Sequence, residues 1–181
     1  MARRVRNYRK RNYITPRVAV AVGAALAICA IAFSNSTPRR ALFVWNASAS
    51  APIGFYGVVH DRAPSRDDLV LAIPSRPVAV FAAGRGYLPM GVPLVKRVMA
   101  VEGDTVCAHG DGIFINGIRL AARLSADHKG RTLPSWTGCR TLGGNDVFLL
   151  MAGIPDSFDG RYFGPTSTSN IAGRLEPIWT R

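Results

Sequence analysis

Residues 18 to 33 carry no charged side chain. This uncharged run constrains how the chain divides into segments more than any other feature of the sequence. Seven Lys and Arg residues and no acid lie within residues 1–17, directly before it. A positive segment followed by an apolar run predicts a membrane-spanning helix with a cytoplasmic N-terminus. The run of 16 residues is slightly short for a span, but polar residues up to Ser36 can lengthen it at the interface. We predict a basic head over 1–17, an anchor over 18–34 and an exported domain over 35–181.

A cleaved signal peptide is the alternative interpretation of the same segment. It has the same polarity, and Ala30-Ile31-Ala32 fits a small-x-small cleavage site. That site lies inside the apolar run, however, and the basic head is long, so we favour an uncleaved anchor. Both interpretations place residues 34–181 across the membrane. The expected location is the inner membrane, with a single span and a periplasmic domain.

The net charge gives little reason to expect a nucleic-acid partner. The formal charge is +12, of which +7 comes from residues 1–17. The position of this head next to the predicted anchor explains its charge without nucleic acid. With 181 residues the chain can form one domain with a sizeable core.

Short strand patterns dominate beyond the anchor. Two-residue periodicity and Gly or Pro boundaries predict strands near residues 55–60, 68–74, 93–104, 146–152 and 171–179. Residues 105–108 and 112–120 are predicted to form hairpins, with Asn116-Gly117 as the clearest two-residue turn. Ser75 and Pro77 are typical of a helix start, and this helix should end near Gly84 or Gly86. Residues 121–145 are predicted to be irregular. The expected fold class is mostly β, with one or two short helices.

Lys96 is a charged residue on the apolar face of a predicted strand. Alternation places its side chain with Leu94, Val98 and Ala100, whereas Arg97 points to the other face. Burial disfavours an ammonium, so Lys96 must find a partner or lose its proton, and a neutral lysine is a general base. The alternative is a lysine whose ammonium extends to solvent.

Two serine-containing segments supply the other candidate residues. The first is Asn46-Ala-Ser48-Ala-Ser50-Ala-Pro-Ile-Gly-Phe-Tyr56, in which small residues leave a hydroxyl open to a carbonyl carbon. The second is Asp156-Ser157-Phe-Asp159-Gly-Arg161, which follows an apolar strand. Taken alone, the first segment could be a polar loop and the second a local ion-pair turn.

Taken in order, these segments resemble the bacterial type I signal peptidases, membrane-anchored serine endopeptidases with a Ser–Lys dyad. Arg85-Gly-Tyr-Leu-Pro89, Leu133-Pro-x-Trp-x-Gly-Cys-Arg140 and Ser157-Phe-Asp-Gly-Arg-Tyr-Phe-Gly-Pro165 are similar to the TraF-type conjugative-transfer peptidases of that group. Residues 152–156 depart from the Gly-Asp-Asn-Arg of housekeeping signal peptidases, which fits the TraF branch better. The resemblance implies a β-rich catalytic domain of the signal-peptidase and LexA type.

The resemblance also implies a role for each matching residue. Ser50 corresponds to the nucleophile and Lys96 to the general base. Ser48 corresponds to a serine whose hydroxyl forms the oxyanion hole together with the backbone N–H of the nucleophile. Ser157 corresponds to the serine that orients the lysine. Asp159 and Arg161 correspond to residues that support the site.

The cysteines and histidines suggest no metal site and no histidine triad. Cys29 lies in the anchor, which leaves Cys107 and Cys139 in the exported part, where a disulfide is the expected state. His60, His109 and His128 lie in turn-like or irregular contexts, and no Gly-x-Ser-x-Gly elbow occurs. We expect neither a metal nor another cofactor.

The family resemblance implies cleavage of a membrane-associated precursor, bound as an extended strand with small side chains beside the cut. In TraF-type enzymes the precursor is a conjugative pilin, and trimming can be coupled to cyclisation. A general signal peptidase acting on many precursors is the nearer alternative. A non-catalytic anchored β-domain of a conjugation or secretion apparatus is the more distant one. The expected partners are the precursor and the lipid bilayer.

Overall fold

The computed structural model describes residues 16–36 and 41–181. They fall into two separate compact units, the helix α1 (Pro16–Ser36) and a domain that begins at Ala41. Among the described residues, no helix combines the length and the hydropathy needed to cross a membrane. The predicted basic head lies almost entirely outside the described residues, so its boundaries stay a prediction.

The domain is built mainly from short strands, which confirms the predicted mostly β class. Its helices are α2 (Arg76–Arg85) and α3 (Gly160–Phe163). Its strands are β1 (Phe43–Asn46), β2 (Gly54–Val59), β3 (Leu69–Ala72), β4 (Leu94–Ala100), β5 (Thr105–His109), β6 (Gly112–Ile115), β7 (Ile118–Ala122), β8 (Gly138–Thr141), β9 (Asp146–Leu149), β10 (Thr166–Ser167) and β11 (Ile171–Thr180).

These strands form two antiparallel sheets. The larger sheet contains seven strands in the order β1-β2-β11-β3-β4-β9-β10. The smaller sheet contains four, in the order β7-β6-β5-β8. One apolar cluster joins them, because Phe148 of β9 and the following Leu150 pack with Val106 and Ile113 of the smaller sheet. Of the predicted site residues, Lys96 lies in the larger sheet, Arg161 lies in α3, and Ser48, Ser50, Ser157 and Asp159 lie in loops.

Strand β4 lies between β3 and β9 and has the predicted alternation. Leu94, Lys96, Val98 and Ala100 are buried on one face, and Arg97 is only half-buried. Lys96 pairs with Val70 of β3, which is completely buried. The register therefore directs the lysine side chain into the domain instead of toward the solvent.

The predicted helix and hairpin are both present. Helix α2 has Pro77 in its first turn and is followed by Gly86, whose φ of 73° is the left-handed conformation that glycine adopts easily. Asn116 and Gly117 join β6 to β7 with φ of 51° and 81°. Positive φ at both positions is what a tight two-residue hairpin requires, so the Asn-Gly pair specifies this turn.

The segment predicted to be irregular contains one strand, β8. Its side chains are mostly exposed, so it lacks the alternation of apolar residues that marks a half-buried strand. Pairing with β5 forms it, and Cys107 and Cys139 lie directly opposite each other in that pair. The two sulfurs are bonded, which confirms the predicted disulfide.

Candidate active site

The loop between β1 and β2 carries Ser48 and Ser50, and the side chain of Asn46 holds it. Asn46 ends β1 and is 4% exposed. Its Nδ2 donates to the carbonyl oxygens of Ser48, Ala51 and Pro52 at 2.9, 3.0 and 3.0 Å, and its Oδ1 accepts from the Ser48 N–H at 3.1 Å. The sequence predicts no role for Asn46. A buried amide with several backbone partners fixes the loop.

Lys96 connects the two serine segments. Its Nζ lies 3.1 Å from Ser50 Oγ and 2.8 Å from Ser157 Oγ, although the two serines are far apart in the chain. The lysine is 3% exposed, so an ammonium extending to solvent is the wrong interpretation. The structure therefore brings together the residues matched to the nucleophile, the general base and the lysine-orienting serine.

The surroundings of Lys96 favour its neutral form. Burial, the largest cause, and the charge of Arg161 lower the pKa of Lys96, the negative charges of Asp159 and Asp156 raise it, and the net result is a fall from 10.5 to about 8. An amine with a pKa of 8 is neutral in about one molecule in ten at pH 7. The shift has the predicted direction but stops short of a lysine that is mostly neutral at that pH.

Ser48 contacts Ser50 in two ways. The two Oγ atoms lie 2.9 Å apart, and the Ser50 N–H donates to Ser48 Oγ at 3.2 Å. The Ser48 hydroxyl and the Ser50 N–H are the two groups that the family resemblance assigns to the oxyanion hole. Because they bond to each other here, a bound carbonyl oxygen must replace that contact to receive both hydrogen bonds.

Asp159 and Arg161 form a fully buried ion pair beneath the Ser157 segment. Both are 0% exposed, and Arg161 Nε donates to Asp159 Oδ1 at 2.8 Å. Arg161 also donates to the carbonyl oxygens of Met151 and Pro155 at 2.9 and 2.8 Å, and Asp159 accepts from the Met151 N–H at 3.0 Å. The pair therefore joins both ends of the loop that precedes Ser157, which agrees with the supporting position expected for it.

A cavity of about 480 Å³ opens beside these side chains. Ser48, Ser50, Lys96 and Ser157 lie on its wall, and most of the remaining lining is apolar. That volume is within the range of small-molecule and peptide sites, which combine an apolar lining with a few polar groups.

All three histidines lie in the described domain, and His128 alone lines this cavity. The side chain of Ser50 hydrogen-bonds to Ser48 and Lys96 and to no histidine, so the described residues contain no serine–histidine pair. His109 Nε2 lies 3.4 Å from Cys139 Sγ, in a group with Cys107. Because the two sulfurs are bonded to each other, this group offers no thiolate to a metal.

Comparison with known families assigns the chain to one of them. A family model described as "Signal peptidase, peptidase S26" matches residues 11–180. The chain belongs to peptidase family S26. Family membership gives this S26 peptidase a serine-peptidase role, and the geometry of Ser50 and Lys96 lies within the matched residues.

Several conjugation proteins are similar to this S26 peptidase. One plasmid transfer protein TraF of Escherichia coli is 35% identical over 179 residues, which cover 92% of this chain and 96% of that protein. A conjugal transfer protein TraF of Agrobacterium fabrum is 32% identical over 145 residues, covering 75% and 81%. A solved signal peptidase I from Enterococcus faecalis V583 is 22% identical, covers 64% of this chain and 98% of its own, and has a TM-score of 0.37.

Proposed function

We propose that this S26 peptidase is a membrane-anchored serine endopeptidase in which Ser50 is the nucleophile and Lys96 the general base. The observation that carries the proposal is the position of a buried lysine amine within hydrogen-bond distance of both Ser50 and Ser157. A nucleophile needs an adjacent base, and the base needs a third group to orient it. Ser157 is that third group.

The reaction begins when neutral Lys96 takes the proton of the Ser50 hydroxyl. Oγ attacks the carbonyl carbon of the scissile peptide bond, and negative charge develops on the carbonyl oxygen. The Ser48 hydroxyl and the Ser50 N–H turn from each other to that oxygen. One such donor stabilises a transition state by about 3–4 kcal/mol.

The Lys96 ammonium then protonates the leaving amine, and an acyl-enzyme on Ser50 remains. The lysine is neutral again at this stage. It can therefore take a proton from the group that resolves the ester. If that group is water the product is a linear acid, whereas an amine gives a new amide.

The substrate we propose is a conjugative pilin precursor at the inner membrane, and aminolysis of its acyl-enzyme by its own N-terminus would give a cyclic product. Two observations support it. The similar proteins carry plasmid or conjugal transfer names, and the uncharged run after a basic segment is typical of an anchor. The domain that begins at Ala41 would then lie in the periplasm, close to its substrate.

Co-expression with a candidate pilin precursor tests the proposal. Mass spectrometry of the product is compared between the wild type, Ser50→Ala and Lys96→Ala, with Arg97→Ala as the matched control on the opposite face of β4. We expect both site variants to abolish maturation and the control to retain it. A product lighter by one water than the linear peptide identifies cyclisation. Maturation by either site variant would rule out the dyad and would favour a non-catalytic domain.

A general signal peptidase is the second candidate, and the family match favours it. Depletion of the chain in its host distinguishes the two. We expect a single precursor to accumulate, whereas accumulation of many exported precursors would establish the general enzyme.

A further inference from the structure

His128 and Asp156 lie on the wall of the same cavity as Ser50 and Lys96. His128 belongs to the segment between β7 and β8, and Asp156 directly precedes Ser157. Their side chains meet, with His128 Nε2 at 3.3 Å from Asp156 Oδ2. The pair therefore joins two segments of the cavity wall and is accessible to a molecule that enters the cavity.

The carboxylates of Asp127 and Asp156 both line the cavity, but they accept different numbers of hydrogen bonds from the protein. Asp127 accepts from Tyr87 Oη at 2.5 Å, from Arg131 Nε at 2.8 Å and from two backbone N–H groups at 2.9 Å. Burial raises the pKa of Asp127, but these hydrogen bonds outweigh it and hold that pKa well below its usual value. Asp156 accepts only from His128 among the described residues, and its side chain is 56% exposed. Asp156 is thus the carboxylate that can receive a cation.

The contact with Asp156 fits one tautomer of a neutral His128. A carboxylate accepts hydrogen bonds, so in that tautomer Nε2 carries the proton and donates it to Asp156. The other ring nitrogen, Nδ1, then holds a lone pair, and none of the described residues donates to it. A cation held by Asp156 therefore lies next to a group that can take its proton.

We propose that His128 and Asp156 form the acceptor subsite of this enzyme, which binds the ammonium group of the amine that resolves the acyl-enzyme. The inference rests on the proposed function, because it requires an acyl group on Ser50. The acceptor is a primary amine, such as the N-terminus of a polypeptide. Water has no charge for Asp156 to attract, so the pair favours transfer of the acyl group to an amine over hydrolysis.

The proton transfers balance. The acceptor ammonium gives one proton to Nδ1 of His128, and the resulting imidazolium is stabilised by Asp156. The free amine attacks the acyl carbon, the bond from that carbon to Ser50 Oγ breaks, and an amide forms. The second proton of the attacking nitrogen passes through Lys96 Nζ to Ser50 Oγ. His128 releases its proton to solvent, and the enzyme returns to its starting state.

The test uses the purified full chain in detergent, with p-nitrophenyl acetate as acyl donor and glycinamide as amine. The measured quantity is the ratio of N-acetylglycinamide to acetate, corrected for the background in Ser50→Ala. This ratio compares the two fates of one acyl-enzyme, so a change in the rate of acylation does not alter it. A structural role in holding the Ser157 segment would change the rate and leave the ratio unchanged.

We expect Asp156→Asn and His128→Gln each to lower the ratio about tenfold or more. Glutamine can still donate to Asp156 but cannot take a proton, so the second variant separates proton transfer from the contact itself. His60→Gln and Asp111→Asn, both exposed and away from the cavity lining, are the matched controls and should keep the wild-type ratio. A wild-type ratio in either cavity variant would overturn the acceptor subsite.

The acetyl adduct separates this outcome from failure of the proposed function. Mass spectrometry should locate the adduct on Ser50 in the wild type, as the proposed nucleophile requires. If Ser50 is not acetylated, the proposed function and the subsite both fail. If Ser50 is acetylated and the ratio does not respond to the variants, the subsite alone is wrong.

Discussion

Both sheets of this domain bury apolar side chains, but they differ in where their charged side chains lie. Beside the larger sheet lies a buried polar cluster, defined here as Lys96, Ser157, Asp159 and Arg161, all at most 4% exposed. The smaller sheet buries apolar side chains, leaves its ion pair Arg119–Asp111 on the surface and is closed by the disulfide Cys107–Cys139. The proposed site thus buries both signs of charge, whereas the ion pair of the smaller sheet stays in solvent; Asp104, the other buried carboxylate among the described residues, pairs with the partly exposed Arg66.

This difference between the sheets bears on the chemistry through the pKa of Lys96. In the buried polar cluster every charged group affects another, and the net result is a lysine whose pKa falls to about 8. Burial of Lys96 with a lowered pKa destabilises the folded chain but supplies a base. The smaller sheet has no comparable group among its described residues, and we assign its side chains no part in the chemistry. Four predictions test this contrast.

Loss of Arg161 should have the largest effect on stability. Arg161→Leu leaves Asp159 as an unpaired buried carboxylate, which costs about 3–5 kcal/mol. Arg119→Leu is the matched control in the smaller sheet, and its pair is 53% and 69% exposed, so it should cost less than about 1 kcal/mol. Urea unfolding of the domain measures both. If both variants lost the same free energy of unfolding, burial would not distinguish the two ion pairs.

Removal of the disulfide should have the next largest effect. The bonded cysteines are 32 residues apart, and closing a loop of that length stabilises a chain by about 3.7 kcal/mol on the chain-entropy estimate. We expect the double variant Cys107→Ser, Cys139→Ser to unfold at lower urea but to keep its peptidase rate while folded. A large loss of rate in the folded variant would mean that the smaller sheet positions the site.

The rate of acylation should depend on pH through Lys96. The neutral amine is the active form, and the pKa of about 8 means that the rate rises with pH and levels off above that value. From pH 6 to pH 9 the neutral fraction grows from about 1% to about 90%. The pH profile of kcat/KM measures this, and the disulfide variant should have the same profile. A flat profile over that range would exclude Lys96 as the base.

Replacement of Lys96 should stabilise the protein while it abolishes activity. The folded pKa of about 8 lies below the ordinary 10.5, so the unfolded chain binds more protons between those values. Wild-type stability therefore rises as the pH increases from 8 to 10.5, and the full cost of burying the ammonium applies below 8. That cost is at most about 3 kcal/mol, and Lys96→Met should recover about 1–3 kcal/mol of it at pH 7.

Melting temperatures at pH 7 and pH 10 measure this effect. The gain from Lys96→Met should shrink at the higher pH, where the wild-type lysine is already neutral. Arg97→Met is the control on the half-buried face of β4 and should show no such pH dependence. A variant that is less stable than wild type at both values would contradict the cost assigned to the buried lysine.

Much of the fold could be predicted because its elements are local. The alternation in β4, the Asn116-Gly117 turn and the Pro77 start of α2 each depend on neighbouring residues. Strand β8 could not be predicted, because its side chains are exposed and its pairing with β5 comes from a distant segment. The part played by Asn46 also depends on where the loop carbonyls lie in space.

The sequence alone determined that Lys96 faces the apolar side of a strand, since alternation along β4 requires nothing but the backbone geometry. It also supplied the three serines, the cysteine pair and the order of motifs that identifies the family. Only the tertiary structure decided which atoms meet. The Lys96 contacts span 46 and 61 residues, and the contact between His128 and Asp156 spans 28. Contacts of that range depend on how the whole chain packs.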